Sequence, residues 1–154
     1  MLYQEIKRPT WDEYFLQMAD LVSARSHDVQ TQHGAVIVGP NYEVLSTGYN
    51  GFVRDIDDTQ LPNTRPDKYT WMIHAEHNAI INCARNGIKL RGSTIYVTGP
   101  PCIYCLQYIY QAGIIRIVHG GRLTKGKFAE NDKEKELFFK LTQGKLSIVQ
   151  VGET

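Results

Sequence analysis

Two short runs hold the side chains able to do chemistry: His74-Ala75-Glu76 and Pro101-Cys102-Ile103-Tyr104-Cys105. One imidazole and two cysteines separated by two residues make three soft or borderline ligands. A catalytic zinc uses such a set when its fourth position stays open to water. Glu76 stands two residues past the histidine, close enough to reach that water without binding the ion. The alternatives are a structural zinc knuckle, or a core histidine beside two buried cysteines. A structural site closes with a fourth Cys or His. The remaining cysteine, Cys83, falls further along the helix that His74 opens, away from the ligand end, where it reads as a small core hydrophobe.

The elements that position these runs follow from periodicity and punctuation. Thr10-Trp11-Asp12-Glu13 reads as a capping box. Trp11, Tyr14, Phe15, Met18, Ala19 and Val22 then recur at helical spacing, predicting a helix over 11–25 packed by its aromatic face. Arg25 and His27 sit at its end, where a cation suits a helix C-terminus. Runs 35–38 and 44–49 with a Gly-Pro-Asn turn between them predict an antiparallel hairpin. Gly48-Tyr49-Asn50-Gly51 closes it where backbone approaches something closely. Residues 52–73 show no regular pattern. A loop of that length is a functional lid or disordered, and Tyr69, Trp71 and Met72 favour a packed lid.

A helix is expected over 74–86, with Ala75, Ala79, Ile80, Cys83 and Ala84 on its buried face and Gly87 ending it. A strand follows over 94–98, then a helix over about 102–112 with Pro101 in its first turn. Strand 116–119 precedes a glycine-rich loop carrying Arg122, Lys125 and Lys127. Helix 131–142, with Leu137, Phe138 and Leu141 on one face, and strand 146–151 complete the order α-β-β-α-β-α-β-α-β. Both candidate metal-binding segments thus fall at helix N-termini, where the helix dipole favours thiolates. Cys102 and Cys105, at i and i+3, share one helix face. The helix between the last two strands permits a right-handed crossover and parallel pairing.

Composition bounds the function classes. At 154 residues, 42% hydrophobic and 21% charged, the chain is most simply one globular domain over 1–154. Seventeen Lys and Arg against sixteen Asp and Glu leave +1, no global footprint for nucleic acid. Three cysteines, two of them in a CxxC, argue against a disulfide scaffold and for a reducing compartment. No apolar run approaches a membrane span and the start lacks a secretory h-region, so the expected location is cytoplasmic.

With three protein ligands, a zinc-bound water ionises near neutral pH. Attack at C4 of a cytosine ring requires a proton at N3 and then one on the departing amine. One carboxylate beside the water can serve both, which is the role assigned to Glu76. Its bland alternative is a helix-start glutamate favoured by the macrodipole.

Four stretches resemble the cytidine-deaminase superfamily, and within it the deoxycytidylate (dCMP) deaminases: Ala24-Arg25-Ser26 with Gly34 to Val38; Ser46-Thr47-Gly48-Tyr49-Asn50-Gly51-Phe52; His74 to Ile80; and Tyr96 to Cys105, continuing through Gln111-Ala112-Gly113-Ile114. The zinc pattern marks the superfamily, and Gly-Tyr-Asn-Gly narrows it. The resemblance implies an α/β fold, a three-layer α/β/α sandwich with a five-stranded mixed sheet. It implies hydrolysis of dCMP to dUMP, the precursor for thymidylate, with one Zn2+ per chain on His74, Cys102 and Cys105. It further implies that Asn50 bonds the sugar, that Ala75 presents backbone to the pyrimidine, and that Arg25 contacts the 5′-phosphate. Arg122 and Lys125 are candidates for the same anion on charge and loop position alone. Such enzymes are commonly homo-oligomers, often hexamers, activated by dCTP with Mg2+ and inhibited by dTTP. Gly48, Tyr49 and Gly51 fall on the loop associated with that regulation.

Three positions depart from the family pattern. His77 replaces an aliphatic residue and is expected to tune the site's surroundings. Pro100 replaces a small polar residue, altering the loop over the leaving amine. The extra cysteines of relatives with a second zinc are missing, and His27, His33 and His119 make no convincing site. The rival functions are a tRNA adenosine or single-strand cytidine deaminase, which needs a basic aromatic groove, and a non-catalytic nucleotide-binding or zinc-stabilised module. Free cytidine or another small aminated heterocycle also fits the spacing, since pocket contacts set specificity.

Overall fold

A computed structural model describes residues 7–123, 126 and 129–151; the candidate anion residue Lys125, and Lys127, lie outside the described residues. The helices are α1 (Trp11–Ser23), α2 (Ala75–Asn86), α3 (Ile103–Gln111) and α4 (Asp132–Leu141). The strands are β1 (Gly34–Val38), β2 (Val44–Tyr49), β3 (Thr94–Val97), β4 (Arg116–His119) and β5 (Ser147–Gln150). They form one mixed sheet in the order β2-β1-β3-β4-β5. β1 pairs antiparallel with β2 and β3, while β3–β4 and β4–β5 are parallel. Helices α3 and α4 supply the crossovers that parallel neighbours require.

Period-two alternation sorts the strands' side chains between two cores. Ala35, Ile37, Ile95, Val97 and Ile117 face the core shared with α2 and α3, and partly buried Phe138 and Phe139 of α4 pack on the same side. Val36, Val38, Tyr96 and Val118 face Phe15 and Ala19 of α1. The result is the expected three-layer α/β/α sandwich. All five residues of β1 are buried, as a central strand covered on both faces must be.

The Thr10 capping box forms, with the Thr10 hydroxyl accepting from the Glu13 N–H at 3.2 Å and Glu13 accepting from the Thr10 N–H at 3.1 Å. Asp12 then ties α1 to the sheet, taking two hydrogen bonds from Arg116 at 2.9 and 2.7 Å and one from the Tyr96 hydroxyl. The helix buries a narrower stripe than expected. Phe15 and Ala19 are inside, whereas Trp11 stacks on Tyr42 of the β1–β2 turn at 4.4 Å and both stay half exposed. In α4 the inward residues are Phe138 and Phe139, and Leu137 and Leu141 point out. Ala84, expected on the buried face of α2, is exposed. The 52–73 segment is more ordered than its sequence suggests, carrying 3-10 turns at Asp58–Gln60 and Asp67–Thr70.

Gly48 sets how closely α2 sits on the sheet. A Cβ there would lie 2.3 Å from the Ala79 nitrogen and 2.5 Å from the Ala75 carbonyl oxygen, inside the helix backbone. Only glycine lets β2 and the first turns of α2 approach this far, and that first turn carries Glu76.

Candidate active site

Both ligand runs end up as helix caps. His74 is the N-cap of α2, in extended backbone, and its ring makes no capping bond to the helix. Cys102 is the N-cap of α3, so the helix begins one residue after the predicted start and Pro101 precedes the cap rather than entering the first turn; the Cys102 sulfur accepts from the Cys105 N–H at 3.4 Å. The free N–H groups and the positive end of the α3 dipole therefore face both sulfurs. His74 Nδ1 lies 3.5 Å from Cys102 Sγ and 3.3 Å from Cys105 Sγ. A tetrahedral zinc with bonds of about 2.3 Å to sulfur and about 2.0 Å to nitrogen would hold such ligands about 3.6 Å apart. The donor set thus fits a zinc ion without rearrangement. These three residues form the only His/Cys/Asp/Glu group with metal-holding geometry among the described residues. Cys83 is fully buried in the core, outside it.

The cysteines behave as a pair sharing one proton. Cys105 donates to Cys102, which together with His74 holds the Cys102 thiol down at about 4 despite burial. Cys105 is pushed up, first by that same bond and then by burial. A metal would displace the remaining proton. Glu76 is 6% exposed, and burial raises its carboxyl above the usual range, with His74 pulling the other way. A carboxyl raised in this way is suited to carry a proton between water and ring.

A cleft opens over this cluster, lined by His74, Ala75, Glu76 and Cys102 together with Asn50, Thr31, Arg65 and Lys68. Pro100, Tyr69 and Met72 also line it, as does His33, which burial and Arg122 hold neutral with a pKa of about 4. The second half of the 52–73 segment therefore forms a wall of the site, in line with the packed lid. Trp71 does not take part and stands 48% exposed.

Asn50 lines the cleft with its amide already engaged. Its Oδ1 accepts from the His33 N–H at 2.8 Å, and its Nδ2 donates to the Thr31 carbonyl at 2.9 Å and to Asp28 at 3.3 Å. One lone pair of Oδ1 remains for a ligand hydroxyl.

The predicted phosphate residues lie elsewhere. Arg25 is exposed, with its guanidinium carbon 5.9 Å from the centre of the Tyr49 ring, and is absent from the cleft wall. Arg122 is spent on holding the fold, donating to Ser23 Oγ, the Gln32 carbonyl and Asp20 Oδ1 at 2.7 to 3.0 Å. His77 stacks on Tyr108 at 4.7 Å, outside the cleft. Gly48 lies beneath α2, as described above. Tyr49 offers its carbonyl to Asn78 Nδ2 at 2.8 Å, and Gly51 bridges to Ile73 through bonds of 3.0 and 2.8 Å, directly before His74.

Sequence reasoning missed the buried ion pair between Asp28 and Lys68. Lys68 Nζ lies 2.9 and 2.7 Å from the two carboxylate oxygens, and the side chains are 4% and 2% exposed. Burial alone would raise the Asp28 carboxyl; the Lys68 ammonium and the N–H groups of Thr31 and Gln30 outweigh it and hold the group below the ordinary carboxylate value. The pair's contribution to stability is therefore present at neutral pH and lost only as the pH falls below about 3.9. Lys68→Met leaves the carboxylate buried without its counter-ion, an expected loss of about 3–5 kcal/mol by urea unfolding at pH 7. With the ammonium no longer offsetting burial, the variant should regain stability relative to the native protein on going from pH 7 to pH 5. Loss below about 1 kcal/mol would show that water replaces the ammonium.

Fold and donor set together define the zinc-binding deaminase class. The chain belongs to the cytidine and deoxycytidylate deaminase family, whose zinc-binding region is matched by residues 9–121. It is 39% identical over 114 residues to a deoxycytidylate deaminase of Pongo abelii, covering 70% of this chain and 63% of that one. A deoxycytidylate deaminase of Mycobacterium phage D29 is 35% identical over 131 residues, covering 74% of this chain and 97% of the phage protein. The apo crystal structure of dCMP deaminase from cyanophage S-TIM5 matches with a TM-score of 0.71 at 25% identity, covering 94% of this chain and 100% of that one. Against the animal relatives the chain spans less than two thirds of their length.

Proposed function

We propose that this site hydrolyses dCMP to dUMP and ammonia, supplying dUMP for thymidylate synthesis. The observation that carries the proposal is the meeting of a three-donor metal set with a buried carboxyl in one cleft that Asn50 also lines. The deoxycytidylate deaminases among its relatives support the choice of base and sugar. Zinc on His74, Cys102 and Cys105 would supply a water that ionises near neutral pH. Glu76 takes one proton from the attacking water and delivers it to N3, then takes the second from the hydroxyl now on C4 and passes it to the amine as the C4–N bond breaks and ammonia leaves. Ala75, fully buried at the first turn of α2, presents backbone to the pyrimidine. Asn50 turns its spare lone pair to a sugar hydroxyl.

Regulation and assembly belong to the same proposal. The protein works as a cytoplasmic homo-oligomer, a hexamer, activated by dCTP with Mg2+ and inhibited by dTTP. Half-exposed Ile81, Tyr104 and Tyr108 on α2 and α3 support assembly. The Gly51–Ile73 bridge gives a nucleotide bound at Gly48, Tyr49 and Gly51 a direct mechanical link to His74. Among the described residues, no helix is long and apolar enough to cross a membrane.

Ammonia release from dCMP, deoxycytidine and a cytosine-containing oligonucleotide, with and without dCTP–Mg2+, tests the proposal. Turnover favouring dCMP and rising with dCTP is expected. Preference for the oligonucleotide would move the protein to the polynucleotide deaminases and overturn the substrate assignment.

A further inference from the structure

Among the described residues, the cleft's cations narrow to one. Lys68 is neutralised by Asp28, His33 is neutral, and Arg25 and Arg122 stand outside the lining. Arg65 lines the cleft, and its Nε is buried without a hydrogen-bond partner. A buried guanidinium N–H left unpaired is costly, and a ligand oxygen would relieve that cost.

Its position follows from a chain of contacts. Asn50 Nδ2 donates to the Thr31 carbonyl, and the Thr31 hydroxyl accepts from Arg65 Nη2. Thr31 thus places Arg65 next to Asn50, the residue assigned to the sugar, where the 5′ substituent of a nucleotide would lie. The segment that carries Arg65 is bolted to residues 27–31. Asn63 bonds the Val29 N–H and the His27 carbonyl, the Arg65 N–H donates to Gln30, and Lys68 pairs with Asp28. On its outer side the backbone at Gly126 closes over it, since a Cβ there would lie 1.8 Å from Tyr69 Oη and 3.2 Å from Arg65 Cδ.

We propose that Arg65 is the specificity residue that binds the substrate's 5′-phosphate, gripping it through Nε–H and the second Nη2–H while Thr31 holds the first. This assignment rests on the dCMP proposal above. It makes the Asp28–Lys68 pair a positioning device, a neutral anchor that fixes the arginine without competing for the anion.

The test is the ratio of kcat/KM for dCMP over deoxycytidine in the zinc-loaded native protein, R65Q and R65K. A charge-assisted contact predicts that R65Q lowers the ratio about 10- to 100-fold, chiefly through KM for dCMP. R65K, which keeps the charge and loses the fork, should restore part of it. Calorimetric binding of dUMP against deoxyuridine gives a readout independent of turnover, and R65Q should lose the preference for dUMP. R65Q that discriminates like a native protein preferring dCMP overturns this assignment alone, as does an equal fall with both substrates that R65K fails to rescue. A native protein indifferent to the phosphate overturns the dCMP reading as well.

Discussion

Glu76→Gln is expected to lower dCMP turnover about 10³- to 10⁴-fold while the zinc content stays at that of the native protein. The substitution changes little in shape and keeps a polar group in the same buried position at the first turn of α2. It removes the one function the reaction needs there, a proton accepted from water and returned to ring and amine. The environment gives that proton a purpose. Burial pushes the Glu76 carboxyl up, and the neighbouring His74 partly offsets the push. Because the proposal gives one group both successive transfers, no second side chain is expected to take over. Steady-state rates with dUMP formation as the readout, beside metal analysis of the same samples, check the expectation. Loss below tenfold with zinc retained would assign the proton transfers elsewhere.

Cys102→Ser should abolish turnover by removing the metal while leaving the helix start intact. Serine is among the best N-caps, so its hydroxyl can replace the sulfur that accepts from the Cys105 N–H. As a zinc ligand it is far poorer, having no accessible anionic form near neutral pH. Zinc content should therefore collapse, with activity falling to background. Metal binding that favours the folded state also stabilises it. A chelator should lower the melting temperature of the native protein and leave that of the variant unchanged. A variant that kept one zinc per chain would show that Cys102 is dispensable as a ligand.

Residue type and spacing sufficed for the metal cluster because all three donors lie at helix starts, which punctuation marks. Pro101 and Gly87 flag helix boundaries, and His-x-Glu and Cys-x-x-Cys repeat at intervals that helical geometry converts into proximity. The strand order's parallel half followed from the helices standing between strands. The cleft wall was not legible on the same terms. Asp28, in the loop after α1, meets Lys68 40 positions on, in a segment without periodicity, and nothing local distinguishes Lys68 from an exposed lysine. Arg25 and Arg122 illustrate the reverse. The family resemblance made Arg25 an anion candidate, and charge and loop position made Arg122 one, but the fold gives Arg122 three internal acceptors and leaves Arg25 outside over Tyr49. The aromatic stripe of α1 overstated burial for a third reason, since Trp11 found the exposed ring of Tyr42 rather than the core.

The central claim is that one zinc on His74, Cys102 and Cys105 enables this chain to deaminate dCMP. Titrating metal-free protein with zinc while following dUMP formation tests it most directly. The rate should rise from background in proportion to added zinc and level off at one equivalent per chain. Full activity in the metal-free protein, or a plateau only at two equivalents, would contradict it.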